Sequence, residues 1–151
     1  GADLICVSVA AAKKYGSPCI IVDMGTATKI IHLGKNGTFE GVAILPGAEI
    51  SLSALAERTA QLPHIALTAP DSAIGKNTVD SMRSGAVFGA AAAVDGMIDR
   101  FFFEIGEVLP IIITGGLAGT VALHCRHTMH RDDDLVLIGL NEIFKKNMQQ
   151  A

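Results

Sequence analysis

The sequence predicts a mixed-sheet α/β domain with flanking helices, and three observations carry that prediction. Apolar residues Cys19-Ile20-Ile21-Val22 run into Asp23-Met24-Gly25-Thr26-Ala27-Thr28, a strand ending on a carboxylate and a glycine–hydroxyl turn. Two hairpin-type strands follow where a Rossmann unit would place a helix. Helical periodicities then bracket another apolar run, Pro110 to Ile113, which also ends in a glycine turn.

Bulk properties narrow the function classes. At 151 residues the chain suits one domain with a sizeable core. Half of it is hydrophobic and 18% charged, which argues against disorder. A formal net charge of -3 without long runs of one sign leaves no electrostatic footprint for nucleic acid or an anionic membrane. No stretch reaches the ~18 apolar residues of a spanning helix. Nothing at the start resembles a signal peptide, and opening on Gly1 suggests an excised piece. Cys6, Cys19 and Cys125 form no disulfide framework, which points to a reducing cytoplasm.

Ala2 to Tyr15 reads as a helix with Ile5, Val9 and Ala12 on one side and Gly16 as its stop. After the strand into Asp23, Thr28 to His32 forms a second strand and Thr38 to Leu45 a third. They turn at Gly34-Lys35-Asn36-Gly37, where Asn-Gly is a strong hairpin signal. Ser51 to Leu62 is a helix closed by Pro63, and a loop spans Thr68 to Thr78. The longest helix covers Val79 to Ile105, with Val79, Met82, Ala86, Ala90, Val94, Met97, Phe101 and Ile105 as its core stripe. A second stripe, Gly85, Gly89, Ala92 and Gly96, implies close backbone approach, either to the domain's own sheet or to a second copy. Pro110 to Ile113 is a strand, and Thr114-Gly115-Gly116 a tight turn. Leu135 to Asn147 closes the chain as a helix with Leu137, Leu140 and Phe144 on one face and Asp134 as N-cap. This order matches a domain of ribonuclease-H-like type.

Several tempting motifs fail. Ile74-Gly75-Lys76-Asn77-Thr78 resembles the end of a P-loop, but Pro70 replaces its first glycine and Asn77 its hydroxyl residue. His124, His127 and His130 lack the paired spacing of structural zinc sites and read as a polar connection. Asp132-Asp133-Asp134 reads as a solvated turn and helix cap.

The ordered set is more telling. Gly1-Ala2-Asp3 opens a helix, and Asp23-Met24-Gly25-Thr26-Ala27 follows a strand. Pro46-Gly47-Ala48-Glu49-Ile50-Ser51-Leu52 precedes a helix that Glu57-Arg58-Thr59-Ala60-Gln61-Leu62-Pro63 ends. Ile74-Gly75-Lys76-Asn77-Thr78 leads into the long helix carrying Ser84-Gly85, and Thr114-Gly115-Gly116-Leu117-Ala118 closes the set. In that order and spacing the chain resembles type III pantothenate kinase, within the superfamily of sugar kinases, heat-shock ATPases and actin.

The resemblance implies an actin-like ATPase fold and ATP-dependent phosphorylation of pantothenate, the first step of coenzyme A synthesis. It implies that 1–151 is one domain, the carboxyl-terminal half of a two-domain kinase whose first phosphate turn lies outside this chain, so that the chain alone is inactive. Asp3 matches the general base, while Gly1, Ala2, Asp3, Leu4 and Thr78 match the pantothenate pocket. Gly25, Thr26 and Ala27 match ATP-contacting positions, and Thr114, Gly115 and Gly116 the adenosine-side turn. Asp23 matches the carboxylate that holds a monovalent cation, potassium or ammonium. ATP with magnesium is the implied cofactor, and a homodimer through the long helix the implied assembly.

Two departures stand out. Leu4 occupies the position of an arginine that contacts the pantothenate carboxylate, with Arg58 as a candidate replacement. Gly41-Val42 replaces the usual Gly-Gly of the third strand. They leave open a non-catalytic relative, of the type of the Bvg accessory factor, described as a transcriptional regulator.

Overall fold

The computed structural model describes residues 1–59 and 61–150. Five helices and five strands alternate as α1 (Ala2–Lys14), β1 (Cys19–Met24), β2 (Ala27–Leu33), β3 (Phe39–Pro46), α2 (Ala48–Arg58), α3 (Thr78–Ile105), β4 (Ile111–Thr114), α4 (Ala118–Val121), β5 (His130–Arg131) and α5 (Leu135–Gln150). They build one sheet of order β3-β2-β1-β4-β5. β1, β2 and β3 pair antiparallel, whereas β4 joins β1, and β5 joins β4, in parallel.

Strand alternation divides the core between the two faces. Ile20, Val22 and Met24 of β1 pack with Ala91, Val94 and Ile98 of α3 on one side. Cys19 and Ile21 pack with Val7, Ala10 and Ala11 of α1 and Leu135 of α5 on the other. All six residues of β1 are buried, as the central strand of a sheet covered on both faces requires. Each fully buried aliphatic there contributes roughly 1.5–3 kcal/mol. A third, smaller cluster of Leu52, Met82 and Ala86 ties α2 to the first turns of α3, away from the sheet.

Element boundaries depart from the sequence pattern where capping decides them. α2 starts three residues early, on Gly47, and ends at Arg58 rather than Leu62. Thr59 leaves the helix in extended conformation and its hydroxyl donates to the Leu55 carbonyl at 2.7 Å. Ala60, which the expected helix included, lies outside the described residues. α3 begins at Thr78 because the Asn77 side chain accepts the Asp80 amide at 2.9 Å. Thr114 completes β4 and is buried, so the tight turn begins at Gly115. At the β2–β3 connection the Asn-Gly turn is a short 3-10 turn over Lys35–Gly37, with Asn36 at φ 60.

Three further expectations are corrected. The connection after β4 contains α4 and β5, whose two-residue strand is too short to leave a periodic signal. Leu137, Leu140 and Phe144 face outward, because α5 packs through its opposite side against α1. Asp132 is no solvated turn residue: it is buried and accepts from Lys14 Nζ and Tyr15 Oη, each at 2.7 Å. It also accepts the Asp134 amide at 3.2 Å, while Asp134, the expected N-cap, accepts the Ile138 amide at its backbone carbonyl at 2.9 Å.

Candidate active site at the carboxyl edge of the sheet

The carboxyl ends of β1, β3 and β4 point to one edge, because all three run the same way. Met24 O accepts the Leu117 amide at 3.0 Å and Thr26 O the Gly47 amide at 3.1 Å, so the three connecting turns are tied together. These contacts explain two glycines. A Cβ at Gly115, whose φ is +100°, would lie 2.5 Å from Met24 O. One at Gly47 would lie 2.4 Å from Thr26 O. Beyond the turns, Thr26 and Gly116 are exposed, leaving a hydroxyl and an open stretch of backbone at the edge.

Across this edge runs a polar row set by register. Asp23 pairs with Lys29 of β2 on one side and with Thr114 of β4 on the other. Alternation puts Asp23 on the face that carries Ile21 and α1. Asp23 is 6% exposed, and Lys29 Nζ donates to its Oδ2 at 2.7 Å. An unpaired carboxylate at that depth would be strongly unfavourable, and the ammonium removes the problem.

The short connection from Tyr15 to Pro18 makes α1 run back against β1, so its first turn lies at the carboxyl end of that strand. Gly1, Ala2 and Asp3 are exposed there, and Leu4 is half-buried. Asp23, Thr114 and the first turn of α1 therefore share one face and one end of the sheet. Thr78 does not join them within one cavity. It lines a space of about 540 Å³ with Leu55, Leu62 and Met82, which shares no residue with the groove of about 800 Å³ that Gly1 and Leu4 line. Arg58, the candidate replacement for the missing arginine, is the exposed last residue of α2 and lines neither.

Sequence reasoning missed Lys29. Its signal lies in the cross-strand register, which no local motif records. It also missed Asp95, buried at 2% on the otherwise apolar side of α3, where it accepts the Arg126 amide at 2.8 Å and the His127 amide at 3.3 Å. The three histidines after β4 go separate ways: His127 bonds Asp99 at 2.7 Å, His124 meets Phe88 edge-on, and His130 stands against Tyr15. Burial pushes the Cys19 thiol up to about 11, and burial with the nearby Asp95 does the same to Cys125. Both stay neutral thiols near pH 7, which removes them as nucleophiles.

A family model described as type III pantothenate kinase matches residues 1–100. The relative from Salinispora arenicola is a type III pantothenate kinase 43% identical over 148 residues, covering 98% of this chain and 59% of the relative. That from Rubrobacter xylanophilus carries the same name, with 43% identity over 157 residues, 100% of this chain and 60% of the relative. The chain thus spans about three fifths of the length of these relatives and matches their carboxyl-terminal part.

Among solved structures, a Campylobacter jejuni protein described as a Baf family transcriptional activator superposes with a TM-score of 0.65 at 22% identity, over 99% of this chain and 65% of its own. The activator of 2-hydroxyisocaproyl-CoA dehydratase from Clostridium difficile, with bound ADPNP, gives 0.54 at 13% identity, over 99% of this chain and 69% of its own. The shared architecture is the actin-like ATPase fold, as the ribonuclease-H-like element order predicts. With that fold and a family model covering its first hundred residues, the chain belongs to the type III pantothenate kinase family.

Proposed function

We propose that this chain is the carboxyl-terminal domain of a two-domain kinase that phosphorylates pantothenate from ATP, opening coenzyme A synthesis in the cytoplasm. The observation that carries the reading is the polar row Lys29–Asp23–Thr114 at the carboxyl edge of the sheet, on the face against which α1 packs. Asp3 is the general base: exposed on that first turn, its carboxylate is free to accept the proton of a primary hydroxyl as it attacks the γ-phosphate. Gly1, Ala2 and Leu4 stand on the pantothenate side, while Thr78, assigned to the same substrate, lines a separate cavity.

The residues at the edge suit a nucleotide. Gly25, Thr26 and Ala27 offer backbone and an exposed hydroxyl to the phosphates, while the turn from Thr114 through the closely packed Gly115 to the open backbone of Gly116 leaves room for the nucleoside. Magnesium carried with ATP would supply charge neutralisation on the transferring phosphoryl group. Asp23 keeps its second carboxylate oxygen for potassium or ammonium, since the Lys29 contact uses Oδ2.

A homodimer through α3 is part of the proposal. A Cβ at Gly85, Gly89 or Gly96 would meet nothing within 4 Å, so among the described residues these glycines of the small stripe have no close neighbour. The open face favours a second copy over the sheet as its partner.

The test is pantothenate phosphorylation by this chain joined to the amino-terminal part found in its relatives, with potassium and then sodium. Pantothenate-dependent ATP turnover that Asp3→Asn lowers at least ~100-fold is expected. Full activity with Asp3→Asn, or turnover by the 151-residue chain alone, overturns the assignment. Leu4 favours a second reading, a non-catalytic relative, because an apolar side chain leaves the substrate carboxylate without its charged partner. On the enzyme reading, Leu4→Arg lowers KM for pantothenate about tenfold or more with little change in kcat, as a restored charge-assisted contact should. No turnover with or without Leu4→Arg favours the second reading.

A further inference from the structure

Lys76 and Arg83 line a cavity of about 360 Å³ between the start of α3 and the loop that leads into it. That loop is braced against the helix. Ser84 Oγ, buried on α3, donates to the Ala73 carbonyl at 2.6 Å, and a Cβ at Gly75 would overlap Ser81. Neither cation belongs to an ion pair among the described residues. Arg83 carries the sharper signal: its Nε is buried and has no hydrogen-bond partner among the described residues. A guanidinium cannot shed its proton to escape that position, and buried donors are nearly always paired. An oxygen from a bound molecule is the partner it lacks.

The rest of the lining narrows what that molecule is. Asp71 and Asp80 border the same cavity without pairing with Arg83, and Asn77 Nδ2 holds the Asp80 carboxylate at 2.7 Å. Two carboxylates at the rim repel a phosphate dianion about twice as strongly as a singly charged acid. A guanidinium fork, in turn, matches the two oxygens of one carboxylate. Next to it lies the cavity of about 540 Å³ that Thr78 lines, which shares Gly75 and Lys76 and adds Leu55, Leu62 and Met82. An apolar wall begins where the cationic one ends.

We propose that Arg83 and Lys76 hold the carboxylate of a small organic acid whose apolar remainder lies along Leu55, Leu62 and Met82. The site goes beyond the kinase reading and does not depend on it. It assigns a ligand class to a part of the molecule remote from the polar row at the sheet edge.

The test uses the 151-residue chain, with hexanoate, hexan-1-ol and inorganic phosphate as probes in titration calorimetry. Hexanoate should bind at least about tenfold tighter than the alcohol of the same length, as a charge-assisted contact requires. Arg83→Gln should remove that preference and leave binding of the alcohol as it was. Arg83→Lys should restore part of it, since the charge returns without the fork. In the unsubstituted chain the Nε resonance of Arg83 should move with hexanoate and stay still with the alcohol, a readout that needs no variant. Equal affinities for acid and alcohol overturn the proposal, as does a preference that survives Arg83→Gln. Phosphate binding tighter than hexanoate also overturns it, by making the site one for dianions. Pantothenate that displaces hexanoate supports the site and makes its acid the proposed substrate. Hexanoate that pantothenate leaves in place supports the site for a different acid. Neither result depends on turnover, so a failed kinase assay and a failed binding test remain separate.

Discussion

Asp23 is tolerable where it stands only because Lys29 lies opposite it in the ladder, 2.7 Å away. Lys29→Met should destabilise the domain by roughly 3 kcal/mol, since removing one partner leaves a buried charge uncompensated. Urea unfolding reads this directly, and adding Asp23→Leu should recover most of the loss; a lone Lys29→Met below about 0.5 kcal/mol would refute the pairing argument. Asp132 gives a second, pH-dependent prediction. Burial pushes its carboxyl up, but hydrogen bonds from Lys14, Tyr15 and the Asp134 amide outweigh burial and hold it below the ordinary value. A carboxyl lowered in the folded state stabilises above the unfolded value near 3.9 and loses that contribution as pH falls through the folded value. Midpoints recorded between about pH 4 and pH 2 should therefore fall less steeply in Asp132→Asn than in the parent. Equal slopes would remove Asp132 from the acid response. Asp23 was legible in the sequence because strand, carboxylate and glycine turn are local signals. Lys29 and Asp132 were not, because their roles come from side chains 6 and 118 residues away that only the fold brings close.

Helices α1 and α5 touch almost backbone to backbone. A Cβ at Gly139 would lie 1.9 Å from Cys6 O, so the crossing depends on glycine. Gly139→Ala should force the helices apart and cost about 1–3 kcal/mol, measured as a fall in the urea midpoint; a neutral effect would mean that α5 can slide without loss. The same crossing explains why Leu137, Leu140 and Phe144 mislead when read as an ordinary amphipathic stripe. Each is more than half exposed, while the packed side runs through Leu135, Val136, Ile138 and Gly139, so apolar residues on both sides leave no single stripe to read. In α3, by contrast, Met82, Ala86 and Val94 are buried as the 3.6-residue period requires, although Val87, Ala91 and Ile98 widen the buried face beyond it. Long periodic elements were readable, and short ones were not: β5, with two residues, exists only because β4 offers it a partner.

The molecule has two cores on the faces of one sheet and a third, smaller cluster under α2. Leu52, Met82 and Ala86 hold α2 to α3 without any strand residue among them. Amide hydrogen exchange should consequently be faster in α2 and the first turns of α3 than in β1 and β4, because few buried contacts oppose local opening there. Uniform protection across α3 would count against separate cooperative units. The proposed chemistry draws on both regions, Asp3 at the sheet edge and Thr78 at the start of α3. Sequence order suggested one continuous pocket; the fold puts Thr78 in a cavity that shares no lining residue with the groove bordered by Gly1 and Leu4, the neighbours of Asp3.

That separation gives the long helix a mechanical meaning. Ala91 is buried in the sheet cluster and Thr78 stands 13 residues earlier, about 20 Å along the axis at 1.5 Å per residue. A tilt of about 5° there would carry Thr78 through roughly 2 Å, enough to make or lose a contact. Glycines along the open side leave no side chains to wedge the shaft against a neighbour. A neighbour clasping that bare side would therefore also set where the start of α3, held to the domain by α2, comes to rest.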